Sequence, residues 1–175
     1  MRKITAHEVA LSALSCAIAT VFLTLGVYSD VFVFTGYMLA GVALMLPLAA
    51  HSYRGYALAY AATCLLSLLF GSFRFWDLLP FVAFFGLHPL ANELQIKRRF
   101  NRWAACALKA AWFDGIMYVT WKFVFAITTE IGFIDTYILP IILVAGTAFF
   151  LLYDYVMFRA RAMVNMLVKR IGGKK

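Results

Sequence analysis

The chain is poor in acids and cysteines, and it has no polar stretch long enough to form a water-soluble domain. Its 175 residues include eight Asp and Glu, three Cys and four Pro. Cys16, Cys64 and Cys106 show no metal-ligand spacing and no disulfide framework, so they read as small buried apolar residues. There is no phosphate-cradling Walker loop, no His-Glu-x-x-His and no Gly-x-Ser-x-Gly. His7, His51 and His88 are scattered, and none sits beside an obvious nucleophile. These absences point away from an enzyme: no catalytic residue, metal site or cofactor is expected, and the chain has no means of hydrolysing ATP by itself. The lack of a polar stretch leaves one domain, residues 1–175, with no room for a soluble module.

Apolar residues are abundant. They make up 65% of the chain and mean hydropathy is +0.87, well above a soluble domain. The apolar runs divide at about 6–27, 31–51, 54–71, 76–92, 103–128 and 136–158. A crossing takes roughly 20 apolar residues at about 1.5 Å rise each, so six spans are expected, the third and fourth short but usable. With the N-terminus inside, the inner side holds Arg2, Lys3, Arg54, Lys97, Arg98, Arg99, Arg102, Arg159, Arg161, Lys169, Arg170, Lys174 and Lys175. The outer loops hold only Arg74. This asymmetry predicts a multi-pass protein of the cell membrane, an all-α compact bundle with both termini cytoplasmic. It also accounts for the net charge of +8 without nucleic acid, with attraction to anionic inner-leaflet lipid as a further effect.

Individual spans carry further signals. Span one has small residues at Ala6, Ala10, Ala13, Ala17, Thr20 and Thr24, in steps of three and four that draw one flat stripe along a helix. Such a stripe permits close backbone approach, either to helices of the same bundle or to another membrane protein. Pro47 is expected to kink span two, with a neighbour re-satisfying the freed carbonyl. Pro80 and Pro89 predict irregular ends for span four. After Phe158 the chain continues as a basic amphipathic helix, Arg159 to Ile171, with Met163, Met166, Leu167 and Ile171 on its apolar side, placed on the inner membrane surface or on a partner. The spans do not divide into similar halves, which disfavours an inverted-repeat carrier.

Charges within spans cost roughly 2.5–3.5 kcal/mol each on insertion scales and so call for a reason. Lys109 and Asp154 fall at similar depth near the inner face, which predicts a structural ion pair between spans five and six. Asp114 lies near the middle of span five beside Gly115 and is expected to take hydrogen bonds from neighbouring hydroxyls or His88. Lys122 lies near the outer end of span five, one turn from Tyr118. Arg74 and Trp76 come from the second outer loop, and Glu130 and Tyr137 from the third. Together, Arg74, Trp76, Tyr118, Lys122, Glu130 and Tyr137 define a candidate outward pocket for a flat polar or anionic small molecule, held by stacking and charge. The competing expectation is an aromatic belt with snorkelling cations.

Six short spans, both ends inside, Ala6-His-Glu-Val-Ala10 followed by Ala13-Leu-Ser-Cys-Ala17, and a basic C-terminus from Asp154 to Arg170 resemble the substrate-binding S component of energy-coupling factor transporters. Size and topology match over the whole chain. The resemblance implies high-affinity capture of a vitamin or other micronutrient from outside. It also implies docking through Ala6, Ala10, Ala13 and Ala17 on a membrane T component driven by two cytoplasmic ATPases, and release by toppling in the bilayer. The very short first outer loop departs from the family's loop gating. Two other classes stay open: a non-transport scaffold of the cell-shape or assembly kind, and a small standalone proton-coupled carrier relying on Asp114.

Overall fold

The computed structural model describes residues 5–29, 31–125 and 132–172, with side chains for all of these except 124, 125 and 132–136. It is 88% helical and contains no strand among the described residues, which places it in the all-α class. Six helical stretches follow the six apolar runs. They are α1 (Ala6–Val27), α2 and α3 (Val33–Ala43, Met45–Ala49), α4 (Tyr53–Phe70), and α5 and α6 (Phe75–Pro80, His88–Lys97) joined through a π-helical segment, Phe81–Phe85. Next comes α7 (Arg102–Thr120), running into a second π segment, Trp121–Phe125. The last stretch joins α8 (Gly132–Ile141) to α9 (Thr147–Gly172) through a third, Ile142–Gly146. The chain divides into two compact units, residues 1–93 with 157–175 and residues 94–156.

In the first unit α1 is buried on two sides. Its start is fixed by a capping box in which the Thr5 hydroxyl accepts from the Glu8 amide and the Glu8 carboxylate accepts from the Thr5 amide at 2.9 Å. One side meets α2 at a glycine crossing: a Cβ added at Gly36 would lie 2.7 Å from the Phe22 carbonyl oxygen and 3.1 Å from Gly26 Cα. The other side meets α4. There Gly55, Ala59, Thr63, Ser67 and Gly71 recur every fourth residue, and all five are buried. A Cβ at Gly55 would collide with Ser12 Oγ, and one at Gly71 would lie 3.6 Å from a Val27 methyl. Since 12 meets 55 and 27 meets 71, the two helices run parallel. Small residues at these steps let their backbones approach closely, the device that packs helices where no water drives them together.

In the first unit, the ladder breaks at Ala43 and around Phe81–Phe85 are closed by hydroxyls from other helices. Pro47 has no N–H to give Ala43, α2 ends at Ala43, and the Ser15 hydroxyl of α1 donates to the stranded Ala43 oxygen at 2.8 Å. In the π segment the Gly86 amide bonds Phe81 instead of Val82, and the Tyr60 hydroxyl takes the freed Val82 oxygen at 2.6 Å. The Phe81 amide turns to Leu78, and Tyr37 donates to the Asp77 carbonyl left behind. Tyr56 donates to the Gly86 carbonyl. A buried carbonyl without a donor costs about 1–3 kcal/mol, so these hydroxyls are what make the two-proline stretch tolerable.

In the second unit α7 packs on the Ile142–Gly146 segment and is bonded to the start of α9 through Asp114–Thr147 and Lys109–Asp154. The Phe113 ring lies tilted against Phe149 and Phe150, with ring centroids 6.0 and 5.8 Å apart.

Large apolar side chains cover much of the outside, including Leu14, Val21 and Leu25 on α1, Leu58, Leu65 and Leu69 on α4, and Leu151 and Leu152 on α9. Two helical stretches, Ala6–Val27 and Tyr137–Ile171, are long and apolar enough to cross a membrane, and Val33–Ala49 is apolar but shorter. Exposed apolar surface on this scale suits lipid and not water.

Candidate functional site

The six residues of the expected outer pocket fall in three groups. Arg74 and Trp76 belong to the first unit, and Tyr118, Lys122 and Tyr137 to the second. Glu130 lies outside the described residues.

The loop that carries Arg74 is built by the end of α4. Ser72 and Phe73 both take left-handed backbone, with φ of 56° and 59°, and reverse the chain. The Phe73 amide closes on the Leu68 carbonyl at 2.9 Å. This places Arg74 beside the end of α1, where its Nη1 donates to the Val27 carbonyl at 3.0 Å. Its Nε lies 2.5 Å from an Asp77 carboxylate oxygen. A cation against terminal helix carbonyls is favourable, so Arg74 has a structural reason to stand where the positive-inside pattern disfavours it. Its side chain is still 47% exposed. Tyr28 strengthens the same corner by donating to the Phe70 carbonyl at 2.9 Å. Trp76 is exposed, its ring edge-on to Phe75 at 5.5 Å. Between the end of α1 and the start of α2 lies an apolar groove of about 340 Å³, lined by Phe22, Leu25, Gly26, Ser29, Phe32, Thr35, Gly36 and Leu39.

In the second unit Lys122 is exposed, with its ammonium 6.0 Å from the centroid of the Tyr118 ring. That is the outer limit of a cation–π contact, so the side chain is held only loosely. Its backbone lies in the Trp121–Phe125 π segment, a geometry that recurs at functional sites. Tyr137 is half exposed.

The structure brings Lys109 and Asp154 together: Nζ lies 2.6 Å from Oδ1, and both residues are buried. Asp114 accepts from the Thr147 hydroxyl at 2.8 Å through Oδ2, while its buried Oδ1 has no hydrogen-bond partner. The absent side chain of Gly146 leaves room there, since a Cβ at Gly146 would lie 3.4 Å from Oδ1.

The small-residue stripe of α1 is divided: its four alanines are exposed, while Thr20 is buried and Thr24 half-buried. Ala6, Ala10, Ala13 and Ala17 are all exposed, whereas Leu11, Ser15, Cys16, Ala19 and Leu23 on the other side of α1 are buried. The small residues used in internal packing are Gly26 and Gly36 at the α1–α2 crossing and the buried series on α4.

Sequence reasoning passed over two groups. The brace of Tyr37, Tyr56 and Tyr60 was signalled only by the prolines that create the need for it. The second group is a buried polar cluster at the end of α6. His88 and Asn92 are fully buried, with Asn92 Nδ2 3.5 Å from His88 Nδ1. Beside them Glu93 Oε2 accepts from Arg161 Nε and Nη2 at 2.8 and 2.5 Å, tying α9 to α6 across 68 residues. A buried Glu with a partner so distant in sequence leaves no local pattern to read. Among the described residues, no three His, Cys, Asp or Glu side chains gather as metal ligands.

No family model matches this chain, and no curated protein or solved structure matches it.

Proposed function

We propose that the chain is a membrane-embedded, high-affinity substrate-binding subunit of an ATP-driven importer for a vitamin-like micronutrient. It crosses the cell membrane six times with both termini cytoplasmic. It docks through α1 on a transmembrane partner, a T component served by two cytoplasmic ATPases. The observation that carries this reading is the orientation of the alanine stripe. Were Ala6, Ala10, Ala13 and Ala17 there for the chain's own packing, they would be buried. Instead they are exposed, while the other side of the same helix makes the internal contacts. A flat, side-chain-poor strip facing lipid suits close approach by a second helix.

Substrate capture falls within the second unit to Lys122, beside Tyr118, because the only described contact of this cation is a long one to the Tyr118 ring. A cation away from bulk water gains more from an anionic ligand group than it would at an open surface. The test is Ala13→Trp in cells that depend on the importer. Uptake is expected to be lost while the purified variant still binds the molecule that co-purifies with the wild type. Uptake at the wild-type rate would remove the docking role, and loss of folding would assign the stripe to internal packing.

One observation favours the non-transport scaffold instead. Arg74 is already engaged by the Val27 carbonyl and Asp77, so half of the argument from outer cations has a structural explanation. If no small molecule co-purifies and no uptake depends on the chain, the scaffold reading stands.

A further inference from the structure

The end of α9 carries apolar surface farther than a membrane reaches. The apolar helical stretch Tyr137–Ile171 is 35 residues long. At about 1.5 Å per residue it measures roughly 52 Å, against about 30 Å of hydrocarbon and roughly 40–45 Å with headgroups. The helix continues from Thr147 to Gly172 without interruption at Phe158, where the apolar run ends and Arg159 begins. Counting from Phe158, Met166 and Leu167 stand roughly 12 Å and Ile171 roughly 20 Å beyond the hydrocarbon edge.

One side of this segment packs on the chain itself. Met157, Ala160, Val164 and Val168 form a buried ridge along one side. Arg161, between them, is held by the buried Glu93. The other side is open: Met163, Met166, Leu167 and Ile171 are between 54% and 68% exposed, with exposed Lys169 and Arg170 among them. Apolar side chains in water beyond the headgroups, rimmed by cations, mark a protein-binding face, and methionine is well suited to such surfaces.

We propose that the Met163–Met166–Leu167–Ile171 face is a second docking surface, on the cytoplasmic side. It takes an amphipathic helical segment of a partner protein whose apolar face is flanked by Asp and Glu. The length argument sets the depth, and the cations Lys169 and Arg170 set the sign of the partner's rim. The surface rests on the proposed topology, with the C-terminus inside, but not on the alanine stripe or on any substrate.

The experiment has three readouts on the full-length chain. A reporter fused after Lys175 checks the side of the membrane, and an outer location defeats the topology itself. In a background with Cys16, Cys64 and Cys106 replaced by Ala, spin labels at Met166→Cys and Ile171→Cys are examined in vesicles of phosphatidylcholine and phosphatidylglycerol. The face is expected to be more accessible to a water-soluble nickel complex than to oxygen. The reverse would place it in lipid and overturn the inference while leaving the topology intact. Finally, a photo-crosslinking amino acid at Met163 in living cells is expected to join one acidic, amphipathic cytoplasmic segment, identified by sequencing the linked peptide. Its yield is expected to fall at least tenfold in Lys169→Glu/Arg170→Glu. Adducts with lipid alone, with a second copy of this chain, or with yield unchanged by the charge reversal would refute the proposal.

Discussion

Lys109 and Asp154 offer the sharpest test of how this chain tolerates charge. Their contact is 2.6 Å, and each residue is less than a tenth exposed. At an effective dielectric of about 20, two unit charges so close attract by roughly 6 kcal/mol. Desolvating them costs several kcal/mol per ion, so the pair contributes little net stability. The asymmetry appears when one partner goes. Lys109→Met leaves a buried carboxylate, and Asp154→Leu a buried ammonium, each expected to cost about 3–5 kcal/mol. In a chain of this size about 1 kcal/mol moves Tm by roughly 2–4 °C, so each single variant should melt about 6–20 °C lower in detergent. The double variant Lys109→Met/Asp154→Leu should recover most of that loss, because no charge is left behind. Thermal unfolding of the four proteins under one detergent condition reads the coupling directly, and a shift of the double variant equal to the sum of the singles would refute the pairing argument.

Other perturbations follow from the same geometry. Tyr60→Phe removes the only described donor to the Val82 carbonyl and should cost about 1–3 kcal/mol in detergent unfolding; an unchanged melting temperature would mean the π segment closes its own ladder. Gly36→Ala forces a Cβ to within 2.7 Å of the Phe22 carbonyl oxygen, so α1 and α2 must separate; expression and melting temperature should both fall, and a variant as stable as wild type would deny the close crossing. For the outward site, Lys122→Ala should weaken ligand binding by about tenfold or more, roughly 1.4 kcal/mol, with little change in melting temperature without ligand. Arg74→Ala should lower the melting temperature, because it removes the contact with Val27; calorimetry with the co-purified molecule reads the Lys122→Ala effect, and wild-type affinity there moves the site elsewhere.

Much of the architecture was legible because it depends on one-dimensional patterns. The apolar runs set the six helical stretches to within a few residues, since helix length and hydrophobicity are local properties. Pro47 announced a break in span two and a freed carbonyl that would need a donor. The matched depth of Lys109 and Asp154 could be counted from the ends of their runs. Depth along a helix follows from residue number alone.

What lay beyond the sequence is which side of each helix faces inward and what answers it across space. The alanines of α1 and the small residues of α4 are equally plausible packing strips on paper. Only the fold buries Gly55, Ala59, Thr63, Ser67 and Gly71 and leaves Ala6, Ala10, Ala13 and Ala17 outside. Arg74 looked like a cation waiting for a ligand until the left-handed turn at Ser72 and Phe73 set it against the end of α1. The hydroxyls of Ser15, Tyr37, Tyr56 and Tyr60 acquire their roles from carbonyls 22 to 40 residues away, and Glu93 from an arginine 68 residues away. A residue's type and spacing determine what it can offer, but a hydrogen bond or an ion pair needs a second group at about 3 Å, and only the packed helices bring that group there.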